Sequence, residues 1–172
     1  MSTRFTQSQR LVHWVMAFGI VAMLFIGVAM VATIAPIHLG LVAAHERLGM
    51  LILLLVIIRL LLRIRFGAPP LPPDMPRIMR VAAVGSHAAF YVLMIAMPLL
   101  GWGMLSAADY PVVIFGVRLP QITPIDPSLH STLWTAHRLL AFLFFLLLLA
   151  HVAAALFHAW VRKDGVFDAM AP

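Results

Sequence analysis

The chain has 172 residues, of which 63% are hydrophobic and only 10% are charged, with a formal net charge of +6. Its mean hydropathy of +1.04 excludes a soluble domain, and several of its apolar runs exceed about 18 residues. The absence of cysteine excludes iron–sulfur clusters, zinc–thiolate sites, disulfides and c-type haem attachment.

Four apolar runs predict membrane-spanning helices. They cover residues 11–34, 41–62, 81–106 and 132–161, and each is long enough to cross a hydrocarbon layer about 30 Å thick. The first run is about twice as long as the apolar core of a signal peptide and carries His13 at its start, so we interpret it as a retained span. The proline-rich connections at 66–80 and 107–131 cannot be helical throughout.

Positive charge is distributed unevenly along the chain. It collects at both ends and around the linker at 66–80, in Arg4, Arg10, Arg63, Arg65, Arg77, Arg80, Arg162 and Lys163. The positive-inside rule therefore predicts that both termini and this linker are cytoplasmic. The charge reflects membrane topology and indicates no nucleic-acid partner. We predict an all-α fold in which 1–172 form a single domain, a transmembrane four-helix bundle of up-down-up-down order.

The fourth run carries three histidines: His137, His151 and His158. A spacing of fourteen residues returns to within about 40° of the starting direction on a helix and separates His137 from His151 by about 21 Å. His158 falls within about 20° of the same stripe. Two imidazoles on one helix face, near opposite sides of a bilayer, indicate two haem sites whose other ligands come from different helices.

The other runs supply histidines at matching depths. His45 lies about one turn inside the second run, level with His137, and these two predict an outer pair. The opposite half of the bilayer holds an inner group of His13, His87, His151 and His158. A histidine near an interface can simply reach the headgroups, but intramembrane histidines are rare and mark functional sites. The residues alone leave open whether His87, His151 or His158 pairs with His13.

Taken in order, these residues resemble the bacterial cytochrome b-561 family, whose superfamily includes the di-haem cytochrome b subunits of nickel hydrogenases and formate dehydrogenases. The resemblance covers essentially the whole chain and is greatest to the small stand-alone members that oxidise superoxide. It is carried by His13-Trp14, His45 with Gly49, Arg59 to Arg63, His87 with Tyr91, Pro98 to Gly101, His137, His151, Ala154, His158 and Lys163-Asp164. It implies a multi-pass protein of the bacterial inner membrane.

The resemblance implies two b haems, each with two histidine ligands. Its pattern pairs His45 with His137 and His13 with His151. Such a haem transfers electrons and has no open iron position for substrate. Arg59 lies one turn deeper than Arg63, which favours a contact with a haem propionate.

The polar residues at the two ends suggest a donor and an acceptor. At the outer end, Arg47 and Arg138 flank the histidine pair, and a positive rim there would attract a small anion such as superoxide. At the inner end, His158, His87 and Trp160 are candidates for a ubiquinone site. Alternatively, these inner residues anchor the protein at the membrane interface. The outer arginines could instead pair with Glu46 or with haem propionates.

Two functions follow from this pattern. The first is a superoxide:ubiquinone oxidoreductase whose partners are superoxide, ubiquinone and membrane lipid. The second is an electron-transfer and anchor subunit of a hydrogenase- or dehydrogenase-like complex, the one reading that requires a protein partner. A histidine-bearing transporter without haem is a third. The short connections offer little docking surface and favour the first.

Overall fold

The computed structural model describes residues 4–114 and 116–172. Residues 1–3 and 115, which the predicted single domain also includes, lie outside the described chain. The described residues form four long helices: α1 Gln7–Ala32, α2 Ile37–Phe66, α3 Arg77–Ala107 and α4 Pro127–Phe157. A short antiparallel hairpin, β1 Val113–Ile114 with β2 Val117–Arg118, lies between α3 and α4. Each predicted apolar run overlaps one helix.

The helices α1 and α4 begin four to five residues before the predicted runs, because side chains cap their first turns. Thr6 and Gln9 form a capping box at the start of α1, which satisfies backbone N–H groups that have no partner inside the helix. Asp126 accepts from the N–H groups of Ser128 and Leu129 at the start of α4, where Pro127 occupies a favourable first position.

Contacts between helix ends define the packing. Gln9 on α1 donates to the carbonyl of Gly67 just beyond α2, at 2.9 Å, and Trp14 on α1 donates to the carbonyl of Met170 beyond α4, at 2.9 Å. The start of α1 therefore lies beside the ends of α2 and α4. We call this side of the molecule the terminal end. The opposite side, which carries β1 and β2, is the hairpin end.

Buried side chains from all four helices form one core. Its members are Met16, Ile20, Ile52, Val56, Phe90, Leu93, Met94 and Phe144. Large apolar side chains also cover the exterior, including Phe18, Phe25 and Phe142. An apolar exterior around a small core is typical of helices that face lipid, because lipid solvates apolar side chains as well as a core does.

Three helical stretches among the described residues are long and apolar enough to cross a membrane: Gln7–Ala32, Arg77–Ala107 and Pro127–Arg162. The helix α2 is not among them. It carries Glu46 and Arg47 in its first half and Arg59 in its second. The predicted span at 41–62 therefore stays a prediction, as does the orientation of the chain.

Candidate functional site

Two histidines from different helices face each other towards the hairpin end. The ring centres of His45 on α2 and His137 on α4 lie 6.2 Å apart, with the ring planes 64° from parallel. Each ring packs on a glycine of a neighbouring helix. A Cβ atom on Gly27 would lie 3.7 Å from Cε1 of His45, and one on Gly101 would lie 3.5 Å from Cε1 of His137. The two glycines bring the backbones of α1 and α3 close to the rings.

Both rings of this pair have an unsatisfied buried nitrogen. Nδ1 of His45 and Nδ1 of His137 are buried and make no hydrogen bond to any described residue. The carbonyl of Met97 is close to His137 but does not meet the geometry of a hydrogen bond to Nδ1. A buried polar group without a partner costs about 1–3 kcal/mol. The described residues therefore leave one polar atom on each ring without a hydrogen-bond partner.

A second histidine cluster lies towards the terminal end. The ring centres of His13 on α1 and His151 on α4 are 6.4 Å apart. His87 on α3 lies 5.9 Å from His151, and Phe90 lies 5.1 Å from the same ring. The His151 ring therefore lies close to the rings of His13, His87 and Phe90. The structure brings together the inner pair that the family resemblance implies, with His87 beside it.

His158 lies apart from that cluster. Its Nδ1 is 2.8 Å from a carboxylate oxygen of Asp164, and its ring contacts Phe157 at 6.1 Å between centres. The sequence alone left His87, His151 and His158 as partners for His13. Among these three, the geometry places His151 opposite His13 and gives His158 a carboxylate partner instead.

Arg59 lies near the second cluster, and its contact with a haem propionate stays a prediction. It is half-buried in α2 and close enough to Tyr91, His13 and His151 to interact electrostatically with each. The proximity of Tyr91 was not predicted, although its position one helical turn after His87 puts both on the same face of α3.

The two arginines predicted to form a positive rim, together with a third, Arg118, lie on elements near the hairpin end. Arg47 on α2, Arg118 on β2 and Arg138 on α4 are exposed. The guanidinium of Arg138 lies 4.8 Å above the ring of Trp134. This cation–π contact between residues one turn apart holds the Arg138 side chain against its own helix.

The helix α4 ends in an unusual turn that carries the remaining predicted site residues. Residues His158–Arg162 form one π-helical turn, a feature that often occurs at functional sites. Lys163 closes it by donating its N–H to the carbonyl of His158 at 2.8 Å, and its φ of 53° is left-handed. Trp160 points outward and is 69% exposed.

A charged network follows from this turn, and the sequence analysis did not find it. Arg162 donates to Asp164 at 2.9 Å and to Asp74 in the linker at 2.9 Å. Asp164 also binds His158, so its carboxylate is shared by two side chains. The left-handed backbone of Lys163 turns Asp164 back towards His158. A local conformation of this kind leaves no clear signal in a sequence.

The Asp164 carboxyl is ionised more readily than an ordinary aspartate. Burial raises its pKa, but hydrogen bonds from His158 and from the backbone N–H of Val166, the charge of His158 and a bond from Arg162 outweigh burial. Together they hold the pKa of Asp164 below its usual value. The carboxylate is therefore charged at neutral pH.

The spacing of the histidines fits a metal bound between two rings. A metal lies about 2 Å from an imidazole nitrogen, and the ring centre lies about 1 Å further, so two rings on opposite sides of one metal have centres about 6 Å apart. The separations of 6.2 Å and 6.4 Å agree with this value, and so does the 5.9 Å between His87 and His151. In the part of the chain that the structure describes, no three His, Cys, Asp or Glu side chains form a metal site. Pairs of histidines at this spacing fit haem, which would supply the other ligands of its iron.

Comparison with known proteins gives consistent matches over the chain. The model of the family described as prokaryotic cytochrome b561 matches residues 4–172. A probable superoxide oxidase CybB of Yersinia pestis is 34% identical over 129 residues, 74% of this chain and 73% of that protein. Cytochrome b561 homolog 1 of Escherichia coli is 25% identical over 98% of this chain and 97% of its own length. Homolog 2 is 29% identical, with coverages of 92% and 86%.

Proposed function

Since the chain belongs to the prokaryotic cytochrome b561 family, we propose that it is a superoxide:ubiquinone oxidoreductase with two b haems. Members of this family are membrane proteins that hold haem b and serve electron transport. The proposal adds the number of haems, the residues that hold them, the donor and the acceptor. It rests above all on the two histidine pairs, with ring centres 6.2 Å and 6.4 Å apart.

All four helices cross the bacterial inner membrane in this proposal, in up-down-up-down order with both termini in the cytoplasm. The apolar exterior supports it, as does the packing of α1 against the ends of α2 and α4. The charge bias favours the same orientation. Lipid then surrounds the molecule, the terminal end faces the cytoplasm, and the hairpin end faces the periplasm.

His45 and His137 hold one haem, and His13 and His151 hold the other. The facing rings of the first pair, with centres 6.2 Å apart on two different helices, support this assignment. When bound, a b haem with two histidine ligands supplies one-electron transfer and leaves no iron position for substrate. Arg59, beside the second pair, provides a positive charge for a haem propionate.

Superoxide is the proposed donor at the hairpin end. The 34% identical relative is named as a probable superoxide oxidase, which supports this choice. Arg47, Arg118 and Arg138 are exposed there, and their charge would raise the local concentration of a small anion. Each superoxide gives up one electron and leaves as O2, so two superoxide ions supply the electrons for one quinone.

Ubiquinone is the proposed acceptor at the terminal end. It takes two electrons and two protons to become ubiquinol. His158 is half-buried and free of the paired histidines, and it is the proposed hydrogen-bond donor to a quinone oxygen. His87 and Trp160 are exposed near the same end, where they can form the walls of the site.

A superoxide pulse tests the proposal directly. Purified, oxidised protein should show b-type reduced absorbance after the pulse, and the absorbance should decay when a short-chain ubiquinone is added. Absence of reduction by superoxide, together with rapid reduction by a co-purifying dehydrogenase, would place the protein among electron-transfer subunits. Absence of haem from protein purified with a haem supply would contradict both functions.

A further inference from the structure

The helices α2 and α4 carry chemically different residues at equivalent positions. Both helices end at the terminal end, so they run in the same direction, and His45 on α2 faces His137 on α4. Fourteen residues further along each helix, a rise of about 21 Å, lie Arg59 on α2 and His151 on α4. Arg59 is therefore level with the second histidine cluster, on a stripe of α2 within about 40° of His45.

The charge of Arg59 reaches every histidine of that cluster. The residue is half-buried, and it lies close enough to His13, His87 and His151 for its charge to act on each. It is therefore beside the second haem site whether His13 or His87 is the partner of His151. No carboxylate of the described residues lies within salt-bridge distance of Arg59, so no neighbouring acid cancels its charge.

The first pair has different surroundings. Among the described residues, the groups that act on His45 and His137 are the facing ring and the carbonyl of Met97, and no arginine or lysine is among them. Glu46, the one acidic residue within the four described helices, directly follows His45. The two levels of the bundle therefore differ in charge, although each offers a pair of histidines.

We propose that Arg59 makes the haem of the second cluster the more easily reduced of the two, so that an electron arriving at the hairpin end settles at the terminal end. The inference rests on the proposed function, which supplies two haems with the same kind of axial ligand. With the ligands alike, burial and neighbouring groups set the difference in potential. Reduction adds one negative charge to a haem, and a cation stabilises that charge more strongly in apolar surroundings than in water.

The transfer moves one electron between the two sites. It oxidises the haem held by His45 and His137 and reduces the haem held by His151; no bond forms or breaks, and no proton moves. A haem propionate bound to Arg59 does not remove the effect, because replacing the arginine leaves the propionate and takes away only the positive charge. The higher potential at the terminal end opposes return of the electron to the hairpin end.

Three substitutions on α2 isolate the charge. Arg59→Gln removes it and keeps a polar side chain, whereas Arg59→Lys retains it. Arg65→Gln is the matched control, because Arg65 lies on the same helix, is exposed and contacts the ring of Phe66 at 5.3 Å. Each substitution is combined either with His45→Ala, which leaves the haem of the second cluster, or with His151→Ala, which leaves the haem of the first pair.

Anaerobic redox titration, followed by haem absorbance, gives the midpoint potential of the single haem in each protein. In the His45→Ala background, Arg59→Gln should lower the equilibrium preference for reduced haem at least about tenfold, which is about 59 mV for one electron. Arg59→Lys and Arg65→Gln should stay close to the parent. In the His151→Ala background, Arg59→Gln should leave the potential unchanged. Equal shifts in both backgrounds, or no shift in either, overturn the role of Arg59.

This test does not depend on the proposed donor and acceptor. If superoxide fails to reduce the wild type, the proposed function is contradicted, and the two potentials still report on Arg59. If Arg59→Gln loses its haem, Arg59→Met is the second neutral variant. If neither holds haem, the two backgrounds with Arg59 in place decide: a higher potential in His45→Ala than in His151→Ala supports the inference, and an equal or lower one overturns it.

Discussion

Gly101 and His137 are so close that a Cβ atom on the glycine would lie 3.5 Å from Cε1 of the imidazole. That distance is an ordinary van der Waals contact, so alanine fits at this position. A longer side chain has to displace the ring, and the backbone of α3 then acts as the wall against which His137 is held.

We expect Gly101→Leu to lose about one of two haems, because the leucine side chain displaces His137. Gly101→Ala should keep both. Gly85→Leu is the control on the same helix, since nothing lies within 4 Å of a Cβ atom there. The pyridine haemochrome ratio measures haem per chain. Equal ratios in the two leucine variants would show that His137 is not confined in this way.

Replacing single histidines should separate the two haems. His45→Ala and His137→Ala should each lower the haem ratio from about two to about one and leave the same spectrum, because they remove ligands of one site. His13→Ala and His151→Ala should each leave the spectrum of the haem that His45 and His137 hold. His158→Ala should retain both haems. If His151→Ala keeps both haems and His158→Ala loses one, then His158 and not His151 is the inner ligand.

Reduction by superoxide should depend on salt. Exposed arginines attract an anion over distances that salt screens, with a Debye length of about 10 Å at 0.1 M, so the rate should fall as ionic strength rises. Arg47→Gln combined with Arg138→Gln should lower the rate at low salt and flatten its salt dependence. The haem spectrum of that variant serves as its control. If the rate depends on neither these charges nor the salt concentration, the arginines do not contribute to the capture of superoxide.

The contribution of Asp164 to stability should disappear in acid. Because its pKa is lowered in the folded chain, its stabilising effect is complete above the ordinary aspartate pKa of about 4 and is lost as the pH falls through the lower, folded value. Thermal unfolding of the wild type and of Asp164→Asn, followed by haem absorbance, should differ at pH 7 and converge below about pH 4. A difference that persists unchanged at pH 3 would contradict this linkage.

The sequence predicted the helices and the first histidine pair for a physical reason. His45 and His137 are the ninth and eleventh residues of their helices, so counting from the helix starts puts them at similar depth. The second pair required the family resemblance. The capping box at Thr6 extends α1, and His13 is its seventh residue, deeper than the single turn that the apolar pattern predicted.

Other parts of the site depend on local geometry that a hydrophobic pattern does not encode. The π-helical turn and the left-handed Lys163 direct Asp164 towards His158. Neither can be inferred from residue type, because lysine rarely adopts a positive φ. The contact of Arg138 with Trp134 was predictable, since residues four apart on a helix are neighbours. Because this contact holds Arg138 against its own helix, the guanidinium has less freedom to move towards an anion.

The buried core lies between the two histidine pairs along the length of the helices. Met16 and Ile20 follow His13, Ile52 and Val56 follow His45, and Phe144 lies midway between His137 and His151. In the proposed di-haem protein, packing of the polypeptide at this level would set the distance between the two haems. Backbone amides at this level should exchange hydrogen more slowly than those near the helix ends, even in protein prepared without haem.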